Sequence, residues 1–471
     1  MSTGVTVNLR PYQESLIDQA RKAYSSGYNA PLLVAPTGSG KTVMFSAIAE
    51  SAAARGHRCI ILAHRQELLT QISNTLAMFG VPHGTIAATH KATLESAQQL
   101  VQVASVQTIV RRLDRTTEPR LIIIDEAHHA IKRTAWGRVV GHFPNAKILG
   151  VTATPERLSG EGLNDLFDHM ILGPSVRELQ ALGALCAVRT FAPPGPDLSG
   201  VRTSMGDWLQ SELAEAVQRS SVMGDAIQHY RQHCDGEPAI AFCVSVKHAQ
   251  HVAQQFRDAG YSAESIDGAM KQADRHRIIK EFTRGTINVI ASCDLISEGF
   301  DVPRATAAIL LRPTQSRALF LQQCGRALRP WSGKDCAIIL DHAGNTRRFG
   351  LCTQQQEWNL AGKPRRVGKS RNDKQPASLR VCLRCFAADD RNALVCGECG
   401  TPFPVAQRVT KTVAGSLVEV EGDIKPLRRE QSMTSSLEGL IQLGKLRGYQ
   451  NPHAWAQHIM DARSRRVWRK A

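Results

Sequence analysis

The chain has 471 residues, 42% of them hydrophobic, with 58 Lys and Arg against 42 Asp and Glu for a formal net charge of +16. That length exceeds one compact domain and implies three or four, with ample apolar material for real cores. No amino-terminal targeting segment and no apolar run of about 18 residues occurs, which reads as a soluble, unexported, cytoplasmic chain with no membrane partner.

In chain order, "PLLVA" (31–35), "CIILA" (59–63), "LIII" (121–124) and "KILGVTA" (147–153) are short apolar runs between helical stretches. Such alternation signals βαβ units and a parallel sheet. "FAPPGPDLSG" (191–200) breaks the pattern with prolines and glycines and marks a connector. The alternation resumes with "AIAFCVS" (239–245), "NVIAS" (288–292), "AAILLR" (307–312) and "CAIIL" (336–340). The spacing predicts an α/β domain over 1–185, a connector over 186–235 and a second α/β domain over 236–345. A basic linker (346–378), a four-cysteine module (379–404) and a basic segment, helical near its end (405–471), follow.

"LLVAPTGSGKT" (32–42) puts Thr37, Gly38, Ser39, Gly40, Lys41 and Thr42 between a predicted strand and a predicted helix. Glycines there let backbone N–H groups close around phosphate, and the helix amino terminus adds its positive dipole end. Lys41 would reach the β and γ phosphates of ATP, and the Thr42 hydroxyl would ligate Mg²⁺. The loop opens with Ala35 where the general pattern has glycine. "LIIIDEAHHA" (121–130) ends a second buried strand in two carboxylates. A solvated turn is the plain alternative. With a phosphate loop in the same sheet, Asp125 would hold Mg²⁺ and Glu126 would orient and deprotonate the attacking water, because a metal-bound carboxylate cannot also serve as base.

Eight cysteines (Cys59, Cys186, Cys234, Cys243, Cys293, Cys324, Cys336, Cys352) are scattered through apolar or helical segments, as in a reducing compartment. The other four form "CLRCFAADDRNALVCGECG" (382–400), in which Cys382, Cys385, Cys396 and Cys399 have the spacing of a closed structural Zn²⁺ site. A redox dithiol is the rival reading. From Thr346 to Ala471 there are 23 Lys and Arg against 11 Asp and Glu, so this quarter holds twelve of the sixteen net charges. The basic residues around the module (Lys363, Arg365, Arg366, Lys369, Arg371, Lys374, Arg463, Arg465, Arg466, Arg469, Lys470) point to a polyanion such as DNA. Trp455 and Trp468 could stack on bases or pack within terminal helices.

Taken together, "APTGSGKT", "DEAH" and "TATP" (152–155) resemble the ATPase motifs of superfamily-2 helicases. "LRPYQ" (9–13), "LAHRQELLTQ" (62–71), "VASVQTI" (103–109), "ASCDLISEGFDVP" (291–303) and "QQCGRALRP" (322–330) resemble their further motifs, in order. The resemblance implies two tandem RecA-like parallel-sheet domains, a P-loop motor, with a zinc-ribbon-like module and a helical basic tail behind it. It implies that Gln13 reads adenine, that Gly299 and Asp301 edge the nucleotide, that Gln322 sits beside the γ-phosphate, and that Arg326 and Arg329 are arginine fingers. His128, Thr152 and Thr154 would couple the ATP site to the nucleic-acid track, and Arg65, Gln107, Thr108 and Ser292 would touch the sugar–phosphate backbone. His129 is left to surface or packing.

Residues 309–345 and the cysteine module look most similar to the RadD-type bacterial and phage DNA-repair helicases. That likeness implies single-stranded or branched DNA as partner, with single-strand-binding protein or recombinase. The chain departs from that type in its shorter carboxy-terminal half and single cysteine module. An RNA helicase and a non-unwinding motor subunit of a restriction or defence assembly are the alternatives.

Overall fold

The computed structural model describes residues 8–88, 94–157, 160–204, 207–219, 222–293, 302–362, 379–404, 431 and 433–467. Residues up to 405 form one compact unit and residues from 406 a second.

In the first unit, lobe 1 is built on β1 (Pro31–Val34), β2 (Cys59–Ala63), β3 (His83–Ile86), β4 (Val101–Ser105), β5 (Leu121–Asp125), β6 (Lys147–Thr152) and β7 (His169–Leu172). All are parallel, in the order β3-β4-β2-β5-β6-β1-β7. The central strands are continuous apolar runs because both faces are covered. One face packs on α1 (Pro11–Ser25), α2 (Lys41–Ala54) and α3 (Gln66–Met78) through Leu16, Phe45, Leu69 and Ile72. The other meets Ile109, Trp136, Val139 and Phe143. Each fully buried aliphatic or Phe side chain contributes about 1.5–3 kcal/mol. Register decides what happens at the carboxyl edge. Val34 is level with Thr152, and Asp125 with Val151, so the phosphate loop, the acidic pair and the "TATP" segment leave the sheet side by side. That edge is where open α/β sheets bind ligands.

Lobe 2 begins with β8 (Ala187–Phe191). A short antiparallel pair follows, β9 (Thr203–Ser204) with β10 (Asp207–Trp208), and then β11 (Ala239–Phe242), β12 (Ala263–Ile266), β13 (Val289–Ser292), β14 (Ala307–Leu310) and β15 (Cys336–Asp341). Its main sheet is parallel, in the order β12-β13-β11-β14-β15-β8. The stretch read from sequence as a connector therefore holds an edge strand of lobe 2 and two helices, Gln210–Arg219 and Val222–Cys234. "AVRTF" is only half buried, so no apolar run announced it.

The cysteine module pairs β16 (Leu379–Val381) with β17 (Ala388–Asp390) and docks on the outer edge of β8. Ala192 N–H donates to the Phe386 carbonyl at 2.8 Å, Phe191 pairs with Ala387, and Arg189 forms an ion pair with Glu398. The second unit is a helical hairpin, Leu437–Leu446 and Pro452–Val467, closed around the fully buried Leu440 and Ala456. Among the described residues no helix is long and apolar enough to cross a membrane.

Candidate active site

The phosphate loop joins β1 to α2. Gly38 (φ 88°) and Gly40 (φ 79°) are left-handed, a conformation strained for any residue with a side chain, and a side chain at either would displace a neighbour's end. A Cβ on Gly38 would lie 2.7 Å from Leu185 Cδ2, and one on Gly40 would lie 2.4 Å from Gln13 Nε2. Gly40 caps α2 without a side-chain acceptor, so the first N–H groups of the helix face the cleft. Lys41 Nζ rests on the carbonyls of Ala35 (3.2 Å) and Pro36 (3.3 Å), and burial lowers its pKa. Thr37, Ser39 and Thr42 line the same cleft, whose volume is about 840 Å³, within the range of small-molecule sites. Gln13 also lines it, with both ends of its amide in use: Oε1 accepts from Arg10 N–H (2.9 Å) and Nε2 donates to the Ser39 carbonyl (3.0 Å).

Asp125 and Glu126 enter from the end of β5. Asp125 is 4% exposed, and its Oδ1 accepts from Glu126 N–H at 3.0 Å. Burial, then the neighbouring Glu126, pushes the Asp125 carboxyl up to about 7. Buried carboxylates so placed are under-compensated, and a divalent cation held by Asp125 and Thr42 fits that need. Glu126 has φ 46°, a costly conformation for a residue with a side chain. Its Oε2 is buried without a hydrogen bond, 3.4 Å from His128 Nδ1.

Across the cleft, Gln322 and Arg326 project from helix Arg317–Ala327, and Arg329 follows it. Arg326 and Arg329 line the cavity with Lys41, Asp125 and Glu126. Burial lowers the Arg329 guanidinium to about 10. The lobes touch backbone-close here, since a Cβ on Gly325 would lie 2.6 Å from Thr37 Cβ. A polar chain runs from one lobe to the other. The Thr152 hydroxyl donates to the Thr154 carbonyl (3.0 Å), and its Oγ1 lies 3.0 Å from His128 Nδ1. His128 Nε2 stands 3.4 Å from Gln322 Nε2 across the lobe boundary, a long contact. Lys334 holds the far end of the helix, donating to the carbonyls of Ala305, Ala327 and Arg329, and burial lowers its pKa to about 8.

Arg65, Gln107 and Thr108 lie beyond the carboxyl ends of β2 and β4, with Gln107 Nε2 donating to the His64 carbonyl at 3.1 Å. Ser292 ends β13 and is 1% exposed. His129 packs between His64 and His128, ring centroids 4.3 and 4.2 Å apart. Gly299, Asp301, the basic linker residues 363–374, Trp468, Arg469 and Lys470 lie outside the described residues, as do the side chains of Arg463, Arg465 and Arg466. Trp455 packs on its hairpin partner, 5.0 Å from the Tyr449 ring. Two ion pairs between the lobes, Glu156–Arg317 and Glu67–Arg275, had no sequence signal beyond their nearness to motifs.

The four module cysteines place their Sγ atoms within 4.8 Å of one another, with Cys382–Cys399 and Cys385–Cys396 both at 3.6 Å. Four thiolates about 2.3 Å from one tetrahedral ion stand about 3.8 Å apart, whereas a disulfide needs about 2.05 Å. The donor set fits zinc.

The family model described as "Type III restriction enzyme, res subunit" matches residues 6–157, and "Helicase conserved C-terminal domain" matches residues 222–330. The "51.5 kDa protein" of Lactococcus phage (isolate 7-9) is 32% identical over 402 residues, 85% of this chain and 83% of the phage protein. The Saccharomyces cerevisiae protein named "Putative ATP-dependent helicase IRC3" is 29% identical over 355 residues, and the match takes in 71% of this chain but only 51% of the yeast protein. Among solved structures, an ATP-dependent Type ISP restriction-modification enzyme, LlaBIII, bound to DNA, shares the fold with a TM-score of 0.53. That match has 18% identity and covers 71% of this chain and 28% of the enzyme.

Proposed function

The chain belongs to the superfamily-2 helicases, whose two lobes form an ATP-hydrolysing motor, and from that premise we propose that its track is DNA and its work is repair or recombination. The observation that carries the reading is a single cleft lined by Lys41, Asp125, Glu126, Arg326 and Arg329, drawn from both lobes. In this reading Glu126 takes the proton of the attacking water while Lys41 and the two guanidiniums balance charge growing on the terminal phosphate oxygens. Mg²⁺, when bound by Thr42 and Asp125, supplies further neutralisation of the β and γ phosphates. Because the arginines reach the site only when the lobes close, hydrolysis and lobe movement are coupled. The chain Thr154–Thr152–His128–Gln322 passes that movement toward the strand held by Arg65, Gln107, Thr108 and Ser292.

DNA is favoured over RNA by the basic carboxy-terminal quarter and by the zinc-fitting module beside it. A RadD-type repair role, with single-strand-binding protein or recombinase as partner, rests on the motif resemblance. The test is ATP turnover with single-stranded, forked and duplex DNA and with RNA. Stimulation by DNA, strongest on single strands or forks, is the expected result; RNA alone stimulating would overturn it. A second reading, a translocating subunit of a restriction assembly, is favoured by the first family description. A strand-displacement assay separates the two, since a pure translocase hydrolyses ATP and leaves duplexes intact.

A further inference from the structure

After β15 the chain enters the lobe 2 core at Cys352 and then crosses back to lobe 1. The Leu360 carbonyl accepts from Leu163 N–H (2.8 Å) and Asn164 N–H (3.1 Å), and Gly362 pairs antiparallel with Glu161. Trp358 and Leu360 pack against the lobe 1 layer that contains Leu163 and Phe167. The contact is built backbone to backbone: a Cβ on Gly162 would stand 2.2 Å from the Leu360 carbonyl oxygen. Residues 352–362 are therefore a strap between the lobes.

Beneath the strap lies Arg317, the first residue of the helix that carries Gln322 and Arg326. Its guanidinium is ion-paired with Glu156, donates to Gln356 Oε1 at 3.1 Å, and lies 4.3 Å from the Trp358 ring centroid. Glu156 stands two residues beyond Thr154, in lobe 1. The side chains of the pair are 14% and 7% exposed. Burying both charges strips each of its water before their attraction is counted, so such a pair is weak evidence of stabilisation and better evidence of a fixed register. Lys334 anchors the other end of the same helix within lobe 2. One helix is thus held to its own lobe at one end and to lobe 1 at the other.

We propose that Glu156, Arg317 and Trp358 are positioning residues that set the arginine-bearing helix against lobe 1, so that their loss slows hydrolysis without weakening nucleotide binding. The inference rests on Arg326 and Arg329 acting at the terminal phosphate. Their displacement by about 1 Å costs on the order of a hundredfold in rate.

The test is steady-state ATP turnover by the full chain, with whichever nucleic acid most stimulates the wild type, so a failure of the DNA reading leaves it intact. Arg317→Ala should lower kcat by about tenfold to a hundredfold while KM for ATP stays within about threefold. Arg317→Lys, which keeps the charge and loses the planar fork, should fall between the two. The exchange Glu156→Arg with Arg317→Glu should exceed either single variant in kcat. Gly162→Ala, which expels the strap and leaves the ion-pair residues unchanged, should reproduce the kcat loss. Melting temperatures verify that each variant is folded. A folded Arg317→Ala with unchanged kcat, a loss carried by KM, or an exchange no better than the singles would overturn the proposal.

Discussion

The two walls of the cleft are made differently. On lobe 1 Asp125 closes a strand, Glu126 follows it on a turn, and Lys41 and Thr42 open the helix after the phosphate loop, and the turns between these elements hold unusual backbone: Gly38, Gly40 and Glu126 are all left-handed. On lobe 2 the groups sit on one helix, nine of whose eleven residues are buried, and on the turn just after it. A turn sets its own geometry locally. A buried helix can only be aimed as a unit, by whatever grips its ends. Changes on lobe 1 should therefore act where they are made, while lobe 2 chemistry should answer to residues that never approach the nucleotide.

The largest effect should come from lobe 1. Glu126→Gln or Lys41→Ala should reduce phosphate release by about a thousandfold or more, while DNA binding, read by fluorescence anisotropy, stays largely intact. Loss of DNA binding in either variant would break the separation of motor from anchor. Next come Arg326→Ala and Arg329→Ala, expected to lower kcat by about a hundredfold to a thousandfold and to leave nucleotide affinity within a few-fold. A comparable loss in affinity would show that lobe 2 binds ground-state nucleotide and does not wait for closure.

A smaller effect sharpens the contrast from outside the cleft. Cys396→Ser should abolish zinc uptake by the four-thiolate set and lower the unfolding temperature by several degrees, because the module covers β8 and shares the lobe 2 core through Cys382, Ala387 and Phe403. Differential scanning calorimetry with a zinc assay would check it. The smallest concerns His248. Burial first, and His251 second, lower its pKa to about 4, and its Nδ1 accepts from Val244 N–H at 3.2 Å. A depressed folded pKa means the stability it adds is present above the unfolded value and is lost as pH falls from about 6.5 to about 4. His248→Gln should flatten that part of the melting-temperature profile relative to wild type.

The central strands were legible because a strand covered on both faces must be apolar throughout, as "CIILA" and "LIIID" are. The edge strands β3, β7, β8 and β12 were not, since partial exposure lets in His83, Arg189 and Glu264 and destroys the run. Lys41, Asp125, Glu126, Arg326 and Arg329 were readable as a set because each motif fixes its residue at a strand or helix end. The Glu156–Arg317 pair was not, because its partners are 161 residues apart in the chain and only the docking of the lobes brings them together. The pairing of "CLRC" with "CGEC" was legible from spacing alone, while the place where the module docks depended on β8 being in lobe 2 at all.

Among the described residues the chain passes between the lobes at two places, outward ahead of β8 and homeward along the strap, and residues 363–378 lead from the strap to the module on β8. Bodies joined at one point swivel freely, as on a ball joint, whereas each further separated attachment removes some of that freedom. The strap adds to the first crossing a second attachment that restrains such a swivel, on the side of the cleft where Arg317 opens the arginine-bearing helix.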